Sequence, residues 1–121
     1  MPRFMMIVKA SEESEAGTLP TTEMLAEMGA YNDRLQQAGA MLAGEGLHPS
    51  SEGARVTYSG GPPVVTEGPF GGKAQDLVAG FWVIRADSMD EALEWARRIP
   101  FREGEVEVRP VFEASDFPDG S

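Results

Sequence analysis

Cysteine is absent from the 121 residues and histidine occurs once. Without thiols there is no disulfide, no thiolate nucleophile and no Cys-based zinc site. Such a chain suits a reducing cytoplasm. One histidine and scattered carboxylates lack the spacing of a transition-metal site, and no acidic loop matches a calcium hand, so neither metal nor cofactor is expected. Long apolar runs are missing too. The run at residues 4–8 is too short for a signal segment or a membrane span, which points to a cytoplasmic protein that engages no membrane. Basic residues are few, ten against twenty acidic ones, for a net charge of −10. With no Lys/Arg stripe to displace counterions, nucleic-acid binding is not expected. The Gly71-Gly72-Lys73 run is not a phosphate loop, and no nucleophile elbow occurs.

What is present is one domain's worth of alternating strand and helix signals. Residues 3–9 (RFMMIVK) form an apolar run closed by charge and read as a strand. Residues 10–20 are small, acidic and Gly/Pro-containing, a loop long enough for a lid or a passive connection. The spacing of Met24, Met28, Tyr31 and Leu35, with Leu25 and Asn32 beside them, predicts a helix over 21–38. Thr21 or Thr22 caps it and Gly39 ends it. Residues 40–47 (AMLAGEGL) read as a strand with Gly44 and Gly46 on one face and Met41, Ala43, Glu45 and Leu47 on the other. Glycines inside a strand mark a bulge or a close backbone approach.

Residues 55–59 and 63–67 flank Gly60-Gly61 and read as a β-hairpin. Residues 78–86 (VAGFWVIRA) are the most strand-like run and belong at the centre of a sheet. Ser88 and Glu91 form a capping box for a second helix over 89–99, with Ala92, Leu93, Ala96 and Ile99 on its apolar face. Residues 104–113 alternate as a last strand. The tail from 114 to 121 is polar and expected to fray. Setting the hairpin aside, the order is βαββαβ, an α+β ferredoxin-like domain spanning residues 1–113. Both helices cover one sheet face. The strands 3–9 and 78–86 are apolar on both faces, so the uncovered face calls for a second cover, and a two-fold homodimer packed sheet to sheet supplies it.

With these elements in place the chain resembles the YCII-related family, in its DGPF-type branch. The resemblance rests on residues 5–9 (MMIVK), 43–50 (AGEGLHPS), 66–70 (TEGPF), 80–82 (GFW) and 107–113 (EVRPVFE). It implies a dimeric α/β barrel built from ferredoxin-like subunits. Relatives in the wider family include ring-processing isomerases and a dehydrochlorinase, and are thought to use a His near the first helix with a nearby Asp. This chain has no histidine there, so that pair is not carried over. The branch signature also reads Glu67 where its name has Asp. DGPF-type proteins are sometimes labelled sigma-factor associated, which leaves a protein partner as the alternative function.

Candidate chemistry falls on few residues. His48 is the one side chain whose ordinary pKa suits proton transfer near neutrality, and Glu45 and Glu67 are the carboxylates that would orient it as a general base. The alternative is an exposed turn at His48-Pro49. Residues 64–73 (VVTEGPFGGK) run from strand into loop and would set the Glu67 carboxylate, the Phe70 ring and the Lys73 ammonium around one mouth. Glu67 has a second reading, as a carboxylate accepting backbone N–H groups of the Gly-Pro turn. Phe70 and Trp82 are candidate platforms for an aromatic ligand, and Arg109 a candidate for a ligand carboxylate or a cross-dimer pair. Two functions follow. One is a dimer binding a small, aromatic metabolite in the cleft between sheets, with or without cofactor-free acid/base chemistry. The other is a non-enzymatic interaction module.

Overall fold

The computed structural model describes residues 1–118. Six strands and three helices follow in the order β1 (Arg3–Lys9), α1 (Glu12–Glu15), α2 (Thr22–Gln37), β2 (Met41–Gly46), β3 (Ala54–Thr57), β4 (Val64–Glu67), β5 (Val78–Arg85), α3 (Met89–Arg97) and β6 (Val106–Pro110). Four strands form an antiparallel sheet in the order β2-β5-β1-β6, and β3 and β4 form a separate two-stranded sheet. The fold is mixed α and β with antiparallel sheets.

Local chemistry accounts for the helix ends. Thr21 Oγ1 accepts the Met24 N–H at 3.1 Å, and Gly39 takes a left-handed φ of 69° that ends α2. Ser88 Oγ accepts the Glu91 N–H at 3.2 Å to start α3. Between helices and sheet lies one core, with Met6, Tyr31, Leu35 and Ile84 fully enclosed. Trp82 sits edge-on to Tyr31, their ring centroids 5.5 Å apart. The Tyr31 hydroxyl donates to the Trp95 carbonyl at 2.7 Å, and burial pushes its phenol well above the ordinary value, so it stays protonated.

Four sequence expectations are corrected here. The 10–20 segment is not all loop: Ser11 and Ser14 cap each other reciprocally and wind α1. The β2–β5 register slips between Met41 and Ala43. This bulge moves Met41 to the helix side, where it packs on the core, while Leu42 is exposed. The hairpin connection spans residues 58–63 rather than 60–62, because Thr57 pairs with Val64. Residues 114–116 form a 3₁₀ turn whose Asp116 carboxylate accepts the Glu113 N–H at 2.7 Å. Of the tail, residues 119–121 lie outside the described residues.

The sheet face away from the helices carries two cross-strand rows. One is Glu45–Phe81–Ile7–Glu107 and the other Ala43–Val83–Met5–Arg109. Each row is apolar in the middle and charged toward at least one edge.

Candidate functional site

On the helix side of the sheet, a cavity of about 360 Å³ opens between α2 and strands β2 and β5. Its walls are mostly apolar, from Met24, Leu25 and Met28 of α2 to Phe101 after α3. Three strand glycines line it, and they do different things. A Cβ at Gly80 would stand 2.8 Å from the Glu45 carbonyl oxygen, so this glycine lets β2 and β5 approach. At Gly44 a Cβ would meet the Met41 methyl at 2.7 Å and the Trp82 ring at 2.8 Å, so these two side chains fill that position. At Gly46 a Cβ would meet nothing within 4 Å. The missing side chain there leaves open space on the helix side, which is the cavity floor.

Two side chains on the wall, those of Trp82 and Asn32, carry polar groups. The Trp82 indole N–H donates to Asn32 Oδ1 at 2.9 Å. Glu45 contributes to the wall as well, but its side chain alternates with those of Gly44 and Gly46 and so belongs to the opposite sheet face. Among the described lining residues Glu45 is the one with a carboxylate, and none carries a basic side chain.

The sequence-predicted residues do not converge. His48 is 83% exposed, and its Nδ1 lies 3.1 Å from the carboxylate of Glu52, not Glu45 or Glu67. The cause is the 3₁₀ turn at Ser50–Glu52, which brings residue 52 back under residue 48. Glu67 ends β4, exposed, with its backbone paired to Ala54 and no side-chain hydrogen bond among the described residues. Phe70 lies under the Arg55 guanidinium, 4.0 Å from the ring centroid, beside Gly53 rather than in the cavity. It borders a broader groove of about 1310 Å³ together with Lys73 and α1. Arg109 is on the uncovered sheet face, with Glu107 3.7 Å away. Trp82 alone among the predicted ligand platforms lines the cavity.

The loop-shaping role expected of Glu67 falls to other groups. Gly68 N–H donates to the Gly53 carbonyl at 2.9 Å, and Phe70 N–H donates to Ser50 Oγ at 3.0 Å. Ser50 in turn donates its hydroxyl and its N–H to the two oxygens of Glu15 on α1, the latter at 3.0 Å. Sequence reasoning missed this junction because its partners are far apart in the chain. Asn32, however, was within reach. Leu25, Met28 and Asn32 share one helical stripe, so Asn32 is a polar residue on the apolar face.

The Ser50 hydrogen bonds, hydroxyl first and backbone second, hold the Glu15 carboxyl below its ordinary value against a smaller opposing effect of burial. A lowered folded-state pKa stabilises the fold above the unfolded value and loses that contribution as pH falls through the folded value. Glu15→Gln is therefore expected to lower the melting temperature at pH 7. The gap to wild type should close as the pH is taken down through the carboxylate range. A gap that stays constant with pH, in melts followed by circular dichroism, would show that the charge on Glu15 contributes nothing.

Comparison with known proteins bears on the whole chain. The profile of the YCII-related domain matches residues 2–115. An uncharacterised protein of Rhizobium meliloti is 31% identical over 91 residues, 73% of each chain. Among solved structures, 5-chloro-2-hydroxyhydroquinone dehydrochlorinase from Burkholderia phenoliruptrix, in complex with 2,5-dihydroxybenzoquinone, is 17% identical. That match covers 87% of this chain and 90% of that one, with a TM-score of 0.40.

Proposed function

The chain belongs to the YCII-related domain family, and from that premise we propose that it binds a small, flat, mostly apolar molecule in the cavity between α2 and the sheet. The observation that carries this reading is the open floor at Gly46, where the strand withholds a side chain from a space walled by apolar residues. The subunit is read as ferredoxin-like, and its uncovered apolar sheet face as the seat of a two-fold dimer of the α/β-barrel type. The ligand site thus moves from the cleft between sheets to the helix side of each subunit.

Binding fits better than proton transfer. His48 and Glu67 do not line the cavity, and the Glu45 side chain belongs to the other face. An interaction module is the weaker reading, since it gives the cavity no role.

Filling the floor tests the proposal. Leucine at position 46 enters open space without a backbone clash and has a better strand propensity than glycine, so the fold should tolerate it. Gly46→Leu is expected to weaken binding of the bicyclic hydrocarbon tetralin by at least about tenfold, or ~1.4 kcal/mol, with the melting temperature unchanged or raised. The indole N–H signals of the two tryptophans report the titration by NMR, the Trp82 signal moving in the wild type. Equal affinity in both proteins, or no binding to the wild type, would overturn the proposal.

A further inference from the structure

Tryptophan's indole nitrogen can donate a hydrogen bond and cannot accept one. Whatever faces Trp82 Nε1 at 2.9 Å must therefore be the oxygen of the Asn32 amide, which fixes the orientation of that side chain. The amide NH₂ is left over. It has no hydrogen-bond partner among the described residues, and none of their side-chain nitrogens or oxygens is both fully buried and unpartnered. The nitrogen is thus reachable from open space, on a residue that lines the cavity.

We propose that Asn32, oriented by Trp82, is the specificity-determining donor of the cavity and selects neutral ligands that carry a carbonyl or similar acceptor oxygen. This rests on the cavity being the ligand site. Neutrality follows from the lining: no Lys, Arg or His is among the described lining residues. An anionic ligand would be desolvated there without a counter-charge, and a cation would face apolar walls. An acceptor oxygen meets the NH₂. A ligand with only donor groups would set donor against donor.

Asn32→Asp is nearly isosteric and separates the effects. One carboxylate oxygen still accepts the Trp82 indole N–H, and the other replaces the NH₂ donor with an acceptor. Matched probes are 1-tetralone, which has a ketone oxygen, and tetralin, which has the same rings without it. The third is 1-naphthoate, a bicyclic carboxylate. The wild type is expected to bind 1-tetralone roughly five- to tenfold more tightly than tetralin, the worth of one net hydrogen bond. It should bind 1-naphthoate more weakly than either. In Asn32→Asp the preference for 1-tetralone should vanish or reverse, while the Trp82 indole signal keeps its hydrogen-bonded position.

If tetralin binds the wild type but 1-tetralone gains nothing, the cavity stands and the selecting role of Asn32 falls. A preference that survives in Asn32→Asp sinks the proposal equally, as does tighter binding of 1-naphthoate. Failure of all three probes to bind the wild type overturns both the site and its selectivity. A second variant, Asn32→Gln, guards against misfolding. It retains the amide but displaces it by one methylene, so a folded protein with reduced discrimination again supports the assignment, and unreduced discrimination opposes it.

Discussion

Gly68→Ala is expected to destabilise the fold by about 2–3 kcal/mol, an overpacking cost at the upper end of the usual range. That corresponds to a melting temperature lower by ~10 °C for a chain of this length. The reason is a clash that no rotamer can relieve. A Cβ at residue 68 would stand 1.8 Å from the Ser50 carbonyl oxygen and 2.8 Å from its carbon. Both are backbone atoms, so one of the two segments has to move. Either movement breaks connected hydrogen bonds: Gly68 N–H to the Gly53 carbonyl, Phe70 N–H to Ser50 Oγ, and through Ser50 the two bonds to Glu15. Gly71→Ala is the control, since a Cβ there meets nothing within 4 Å and the φ is not left-handed. It should melt within about 2 °C of wild type, as surface changes away from such features do. Thermal melts of the two variants check the contrast. Equal stability would mean that the 68–70 turn and the Ser50 turn do not pack as described.

The signature at residues 66–70 thereby gains a structural role different from the one its carboxylate suggests. In sequence Glu67 looks like the functional group of the motif. In the structure Gly68 is the residue that the packing requires, and Ser50 Oγ supplies the acceptor that Glu67 was expected to provide. What the sequence made legible is what local physics decides. Thr21, Gly39 and Ser88 set helix ends through atoms within a few residues of themselves, and the runs at β1 and β5, apolar on both faces, declare a central position. What it left hidden depends on distant partners. Ser50 and Glu15 meet across 35 residues of chain. The bulge at Leu42 reverses the face of Met41, and Gly44 and Gly46 signal a bulge or a close approach in that strand without fixing its position.

The candidate site was half legible for the same reason. Glycines at 44, 46 and 80 announce that strands lack side chains, but not whether a neighbour or a void takes the space. Gly80 is pressed by a backbone, Gly44 by the Met41 and Trp82 side chains and Gly46 by nothing. Only packing separates the three. The single histidine stands out because an imidazole suits proton transfer, yet side-chain chemistry does not determine placement, and His48 sits at an exposed turn beside Glu52. Asn32 carried a weaker but sounder signal, a polar residue on an apolar helical stripe whose burial needs a partner.

If the uncovered sheet face seats the proposed two-fold dimer, Phe81→Lys is expected to give a monomer at micromolar concentration where the wild type is a dimer, read as a halving of mass by light scattering. Phe81 occupies the middle of the row Glu45–Phe81–Ile7–Glu107, on the sheet face that no helix covers. The adjacent row places Val83 and Met5 next to it, with Arg109 at the edge. Apolar residues at the centre with charges at the rim is how a stable interface is built. Two-fold packing would set Phe81 and Ile7 of one subunit against the same patch of the other, and would let Arg109 reach carboxylates beyond Glu107, which is 3.7 Å away within the chain. A lysine at the centre would have to bury an ammonium group with only the cross-strand carboxylate of Glu45 beside it, a desolvation that the pair repays only in part, so the dissociation constant should rise by roughly tenfold or more. The subunit itself should stay folded, because the core lies on the opposite face around Met6, Trp82 and Ile84. Gln36→Lys, on the exposed side of α2, adds the same charge away from this face and should leave the dimer intact. A wild-type protein of single-chain mass, or a Phe81→Lys variant that remains dimeric, would show that the uncovered face is not the interface.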